Sequence, residues 1–395
     1  MAARYDSFPR WCGAESDATL GPLPHRGAGR DGVPRECAYR PAQKGHPIMH
    51  TAWHFLNTRN ARIEADVVCD FGDPTAELRA AESAQPVIAP LVDRASIRVS
   101  GEDATSFLHR LLTQDIETLT TTSARRAGFC TAKGRLLASF LVWRENAAPP
   151  AYRLELPAEL LSPIRAKLSM YVLRSAVKLS DGREDRALIG LAGVDAATLL
   201  DTLGLCWPEA DLAISTNDDV TLIRLENARA LLSVPVAGLE ATWDRLSAVA
   251  RPVGTPAWHG FDVRAGIADI VLATQDEYVP QMLNLDATGG ISFNKGCYPG
   301  QEVVARTHYL GKVKRRMWRA QLGTAAGTAA RIGDPIVASA LSGQVCGGVV
   351  ASAPRATGEA DLLVVIQESG LAGTLHLGSA DGPPIQVEPP PYTLP

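Results

Sequence analysis

The chain lacks the features of a membrane-embedded or cross-linked secreted protein. No apolar run in its 395 residues reaches the roughly 20 needed to span a bilayer. No C-x-x-C pair occurs. The seven cysteines, Cys12, Cys37, Cys69, Cys130, Cys206, Cys297 and Cys346, are scattered and odd in number. Such spacing speaks against a disulfide framework or a closed zinc site and fits a reducing, cytoplasmic setting. The eight histidines include no His-Glu-x-x-His, and no metal is expected. Neither sign of charge dominates: 39 Lys and Arg face 43 Asp and Glu, a net of -4. The chain therefore has no general attraction to nucleic acid or to an anionic membrane. No solenoid-type repeat of fixed period is present.

What is present is an ordinary globular composition, 46% hydrophobic and 21% charged. The length calls for two or three domains. Residues 1 to 48 stand apart, rich in Gly, Pro and Arg with little apolar periodicity, as in Gly21-Pro22-Leu23-Pro24. They contain no apolar stretch of the secretory kind, and Asp6, Glu15, Asp17, Asp31 and Glu36 argue against an organelle transit peptide. The expectation is a disordered or untranslated segment, with Met49 as the true start.

Structured sequence is expected from near Pro90. Ser96–Ser100 alternates like a strand, and Ala104–Leu112 has apolar residues at helical spacing. Ala127–Thr131 and Leu136–Trp143 read as strands joined by a Lys133-Gly134 turn, followed by a strand at Tyr152–Leu156, a helix at Pro163–Met170 and a strand at Val177–Leu179. Strands at Leu188–Leu191 and Leu222–Leu225 alternate with helices at Ala196–Leu203 and Leu239–Val249. Trp258–Ile267 reads as the end of a strand. After Val313 come short strands cut by Gly and Pro (317–321, 335–338, 346–351, 362–366), which suggests a small all-β barrel. The pattern predicts an α+β fold.

Chemistry concentrates in Lys295-Gly296-Cys297-Tyr298-Pro299-Gly300-Gln301-Glu302. A thiol becomes nucleophilic as its pKa falls beside a cation or at a helix N-terminus. Lys295 offers the cation. Pro299 suits the first turn of a helix running through Gln301–Arg306, and Gly296 and Gly300 permit unusual backbone angles. The bland alternative is a small buried residue in a tight strand-to-helix turn. His308 follows downstream, but spacing alone does not pair it with Cys297. Upstream, Trp258 could stack on a flat heteroaromatic ring, with Gln281 or Asn284 bonding its edge. Spacing alone favours core packing for Trp258.

The octet is similar to the K-G-C-[FY]-x-G-Q-E signature of YgfZ-type proteins, folate-binding relatives of the glycine-cleavage T-protein (GcvT), an aminomethyltransferase. The resemblance runs through Val279-Pro280-Gln281, Asn284-Leu285, Gly289–Phe293 and Val304-Ala305-Arg306. Upstream it takes in Ile97–Ala104, Phe107-Leu108 and Ala132-Lys133-Gly134-Arg135, and it covers roughly Trp53 to the C-terminus. Pro391-Tyr392-Thr393-Leu394 resembles the way family members end, and a complete C-terminus is expected.

The resemblance implies a three-domain ring of GcvT/YgfZ type: two α+β domains and a C-terminal β-barrel around a folate-binding hole. Its parts would be 49–180 completed by 255–310, then 181–254, then 311–395. It further implies a tetrahydrofolate-binding protein that supports iron–sulfur cluster assembly or repair, reaching tRNA-modifying iron–sulfur enzymes. Cys297 would be the reactive thiol with Lys295 beside it. Trp258, Arg264, Gln281 and Asn284 would meet the folate, and Gly296, Tyr298, Gly300, Gln301 and Glu302 would form the motif backbone. The alternative is a folate-dependent aminomethyltransferase or other one-carbon transferase.

Three positions depart from the pattern. Arg94 stands where a relative can carry a second folate-contacting Trp. Arg264 replaces a Glu that in the T-protein holds the pterin, and an arginine cannot accept a hydrogen bond. Ala138-Ser139 replaces an acidic residue of the T-protein, which argues against aminomethyl transfer. A basic run, Lys312, Lys314, Arg315, Arg316 and Arg319, is expected to be a solvated strand face; the alternative is a binding surface for the polyglutamate tail of a folate or for RNA.

Overall fold

The computed structural model describes residues 49–193, 203–217, 220–323 and 330–395. The expected disorder of residues 1–48 and most of the Ala196–Leu203 helix lie outside the described residues.

Two large sheets, a two-stranded ribbon (Arg62–Glu64 with Val67–Asp70) and a barrel organise the described residues. The first sheet has five antiparallel strands in the order Ala124–Cys130, Leu136–Glu145, Ala151–Pro157, Arg94–Ser100, Lys178–Asp181. The helices Ala104–His109 and Leu161–Ser169 cover its apolar face through Phe107, Leu108, Leu161, Ile164 and Leu168. The second sheet has six strands in the order Ile214–Asn217, Val220–Leu225, Arg229–Pro235, Arg186–Ala192, Val87–Pro90, Arg251–Pro252. Its last pair is parallel and the others are antiparallel.

Residues before Pro90 are structured, contrary to the sequence expectation, and they serve the second sheet. Trp53, Leu56 and Val68 share a core with Ile189, Leu222 and Trp243. Val87–Pro90 pairs with Ile189–Ala192, about a hundred residues further on. A pairing that distant leaves no mark on local periodicity. Of this segment only Val87–Pro90 is a strand of the second sheet, while Arg62–Glu64 and Val67–Asp70 pair with each other.

The barrel closes in the order Arg315–Leu322, Ala360–Gln367, Gln344–Pro354, Pro335–Ala338, Leu375–Leu377, Pro384–Glu388, the last pairing back to the first. The apolar run Leu362–Ile366 shows why a strand here needs no polar face. Leu362, Val364 and Ile366 fill the barrel, while Leu363 and Val365 join the large core of the first sheet. Side chains alternate across a strand, so one strand buried on both faces serves two cores.

Trp258–Ile267 is not the end of a strand. Thr255–Ala265 is a helix, opened by Pro256 in its first turn and closed by Gly266 at φ 69. It is buried on nearly every side, so its sequence carries no amphipathic period to announce it. No helix among the described residues is long and apolar enough to cross a membrane.

Candidate functional site

The Thr255–Ala265 helix lies where the two sheets meet, packed against Leu141 and Trp143 of the first and Ile223 and Leu231 of the second. Trp258 and Asp262 are four residues apart and share one helical face. Both line a cavity of about 80 Å³ in this seam, room for about six waters at roughly 10–15 Å³ each. Trp258 is 3% exposed and stands edge-on to Phe261 at 5.8 Å. Gly190 of the second sheet lets the indole approach: a Cβ there would fall 2.5 Å from it.

The polar lining balances. Arg94, Arg126 and Arg229 face Glu155, Asp262 and Asp269. Arg229, 1% exposed, lies 5.4 Å over the Trp258 ring and pairs with Asp262 at 2.6 Å. Arg126 pairs with Glu226 at 2.8 Å, and its buried Nη1 has no hydrogen-bond partner. Arg94 binds two carboxylates, Glu155 through Nε and Asp269 Oδ2 through Nη1 at 2.5 Å.

The strand position that seemed to lack an acid has one after all. Ser139 Oγ donates to Asp269 Oδ1 at 3.0 Å and accepts from the Ile270 N–H at 2.9 Å. The carboxylate comes from a loop 130 residues further on. Burial pushes the Asp269 carboxyl up, but Arg94 and Ser139 outweigh it and hold it below the usual range. Burial dominates at Glu155, which is pushed up to about 7 despite Arg94. The missing acid at Ala138-Ser139 is therefore no argument against acid chemistry here. The one sequence signal was Asp269 itself, a lone acid in the apolar run Ala265–Ala273.

Of the four residues expected to meet a ligand, only Trp258 lines the cavity. Arg264 lies two positions from Asp262, on another face of the helix. Its guanidinium sits 4.9 Å from Phe261 and 3.8 Å from Asp361 of the barrel. Gln281 is fully buried and donates to the Val304 carbonyl at 2.7 Å. Asn284, at φ 58, donates to the Met317 carbonyl at 2.9 Å and accepts from Arg316 at 3.3 Å. These two amides tie the central loop to the Gln301–Tyr309 helix and to the barrel.

The cysteine octet folds outside the cavity, and most of its members have packing duties. Lys295 Nζ donates to the carbonyls of His109 and of Leu112, the latter at 2.6 Å, at the C-terminal end of the Ala104–His109 helix. Such carbonyls need a donor from outside the helix. Burial pushes the amine down to about 8, against the pull of Asp115 and Glu117. Tyr298 is buried, its ring 5.0 Å from the same amine. Gly300 has φ 81, and a Cβ on it would fall 2.5 Å from both Gly134 Cα and the Thr131 carbonyl oxygen. Gly134 is itself at φ 73, so the turn of the first sheet and the octet touch glycine to glycine.

The helix begins at Gln301 with Gly300 as its cap. Pro299 thus precedes the helix instead of entering its first turn. Gly296 has open space, the nearest atom to a Cβ being 3.7 Å away. Glu302 forms an exposed pair with Arg306 at 2.7 Å, and Gln301 is half-buried. Cys297 is exposed. His308 stacks on Phe293 at 3.7 Å.

Three of the five basic residues of the run form ion pairs. Lys312 pairs with Glu368 at 2.8 Å, Arg316 with Asp286 at 2.8 Å and Arg319 with Glu388 at 2.5 Å. His50 and His54 stand four residues apart, but the His50 ring accepts from the Ala52 N–H at 3.3 Å as a helix cap. Among the described residues no group of three or more His, Cys, Asp or Glu could hold a metal ion.

No family model matches the chain. The tRNA-modifying protein YgfZ of Klebsiella pneumoniae (strain 342) is 29% identical over 310 residues, 77% of this chain and 92% of that protein. The protein of the same name from Escherichia coli (strain SE11) is 27% identical over the same shares. Among solved structures, the glycine cleavage system aminomethyltransferase T from Bartonella henselae superposes with a TM-score of 0.66 at 14% identity. It covers 86% of this chain and 96% of that one, a likeness of fold.

Proposed function

We propose that this chain, similar to proteins named YgfZ and folded like the glycine cleavage aminomethyltransferase, binds tetrahydrofolate at the Trp258 cavity and supports tRNA modification. The relatives are named as tRNA-modifying proteins. The finer reading is that the chain helps assemble or repair the iron–sulfur clusters of tRNA-modifying enzymes, with Cys297 as the thiol presented to a partner. One thiol does not hold a cluster, which commonly takes four ligands, so a bound cluster would be shared.

The observation that carries this reading is the division of the site. A half-open cavity with a charged lining under an indole and an exposed thiol outside it are separate features. The cavity residues fit the flat end of a folate. Trp258 supplies an aromatic wall, the unpartnered Arg126 Nη1 supplies a donor, and the carboxylates supply acceptors. When bound, tetrahydrofolate would supply a one-carbon carrier; Trp258 would orient the ring and Arg126 and Asp269 would hold its edge. In the octet, packing accounts for Lys295, Tyr298 and Gly300 and leaves the thiol of Cys297 unexplained.

Calorimetric titration with tetrahydrofolate tests the first half. Wild type is expected to bind, and Trp258→Leu to bind about tenfold more weakly, the scale of a lost aromatic stack. No binding by folded wild type sinks it. For the second half, Cys297→Ala is expected to fail to restore iron–sulfur enzyme activity in a deletion strain; full restoration removes the thiol from the proposal.

A folate-dependent aminomethyltransferase is the second reading, and Asp269 beside Ser139 favours it, because general acid–base work needs a placed carboxyl. Turnover of a methylamine donor with tetrahydrofolate, abolished in Asp269→Asn, would replace the first reading.

A further inference from the structure

We infer that Asp269 is the residue that selects the ligand of this cavity, by accepting from two adjacent N–H donors on the edge of a flat ring. The inference rests on the proposed folate-binding role and deepens it. An ionised carboxylate has about four lone-pair sites. Ser139 takes one on Oδ1 at 3.0 Å and Arg94 takes one on Oδ2 at 2.5 Å. One site on each oxygen remains, and the side chain keeps 27% of its surface exposed while lining the cavity.

The group is also fixed in place. The Ile270 N–H donates to Ser139 Oγ at 2.9 Å, which aims the Ser139 proton at Asp269. Arg94 is anchored on its other side by Glu155, itself 6% exposed. A carboxylate held at both oxygens cannot rotate away from a ligand, so its free acceptor sites are pre-set. The matching ligand edge is an exocyclic amine beside a ring N–H, as in a 2-amino-4-oxo pyrimidine ring. Asp262 also faces the cavity, but one bond to Arg229 holds it and leaves its second oxygen free to turn.

The test compares two probes, tetrahydrofolate and a folate analogue lacking the 2-amino group, on wild type, Asp269→Asn and Asp262→Asn. A hydrogen bond to a charged group contributes about 1.5–3 kcal/mol, or roughly 10- to 150-fold in affinity. Wild type is expected to prefer tetrahydrofolate by at least tenfold. Asp269→Asn is expected to bind both probes alike, and Asp262→Asn to keep the preference. Wild type that binds tetrahydrofolate without preferring it overturns this inference and leaves the folate reading standing. So does a preference that survives in Asp269→Asn or vanishes only in Asp262→Asn. Wild type that binds neither probe overturns both. Should Asp269→Asn fail to fold, the two probes on wild type still decide whether the 2-amino group is read, and Ser139→Ala, expected to weaken the preference severalfold, decides whether Asp269 reads it.

Discussion

The cavity under Trp258 and the loop carrying Cys297 solve opposite problems. The cavity gathers charge from distant segments: Arg94 and Glu155 from the first sheet, Arg229 from the second, and Asp269 from the loop after the helix. Each charge there is paired, because an unpaired buried charge costs several kcal/mol. The cysteine loop is built from eight consecutive residues, and what it buries is shape. Two glycines touch, a lysine satisfies helix-end carbonyls, and a tyrosine packs inward. The cavity is thus a binding device whose precision comes from electrostatics. The loop is a presenting device whose precision comes from backbone contact. A reactive group in the first would be shielded from macromolecules; one in the second is open to them.

The largest expected effect tests the backbone side of that comparison. Gly300→Ala puts a Cβ at 2.5 Å from Gly134 Cα, on a residue at φ 81. Left-handed strain costs about 1–3 kcal/mol and overpacking about 1–3 kcal/mol more. Gly296→Ala, with its nearest contact at 3.7 Å, is expected to change stability by less than about 1 kcal/mol. Both are read as the midpoint shift in urea unfolding. Equal shifts would mean that the glycine contact does not shape the loop.

A second experiment addresses the charged side. Burial raises Glu155 to about 7, against Arg94. The folded state then holds a proton that the unfolded chain releases near pH 4.5, so ν_N exceeds ν_U between these values. Stability contributed by this proton is full below pH 4.5 and is lost as pH rises through 7. Glu155→Gln removes the titration and should flatten the curve in that window by up to about 1.4 kcal/mol per pH unit. Burial raises Glu77 to about 7 as well, so the readout is the difference in melting temperature between variant and wild type at pH 5 and pH 7.5. An unchanged difference would mean that Glu155 is ionised throughout.

The same contrast explains what the sequence disclosed. The octet was legible because its residues are consecutive and their types unusual. The barrel was legible because its strands are short and cut by glycine and proline. The cavity was not, because it is assembled by strand pairings such as Val87–Pro90 with Ile189–Ala192. Trp258 was visible as an aromatic among charges, but its helix was read as the end of a strand, since burial on nearly every side erases the amphipathic signal. Arg264 was expected at the ligand from the resemblance alone, and two positions along a helix from Asp262 it lies on another face. The missing acid at Ser139 was a correct reading of the strand and a wrong reading of the site, because a carboxylate can arrive from any segment that folds back.

The smallest expected effect on stability is the most informative about the loop. Cys297 is exposed, as is Cys206, whereas Cys69, Cys130 and Cys346 are buried. Iodoacetamide should label Cys206 and Cys297 in the folded protein and reach the other three only on unfolding, as peptide masses will show. Cys297→Ala removes no packing, so its unfolding midpoint should match wild type within about 0.5 kcal/mol. Cys206 is the internal control, also exposed but outside the octet. If Cys206→Ala impairs iron–sulfur enzyme activity in cells as much as Cys297→Ala does, exposure alone explains both thiols. If only Cys297→Ala does so, at unchanged stability, the loss belongs to the chemistry of the thiol. The glycines, lysine and tyrosine beside it are then the frame that holds it outward.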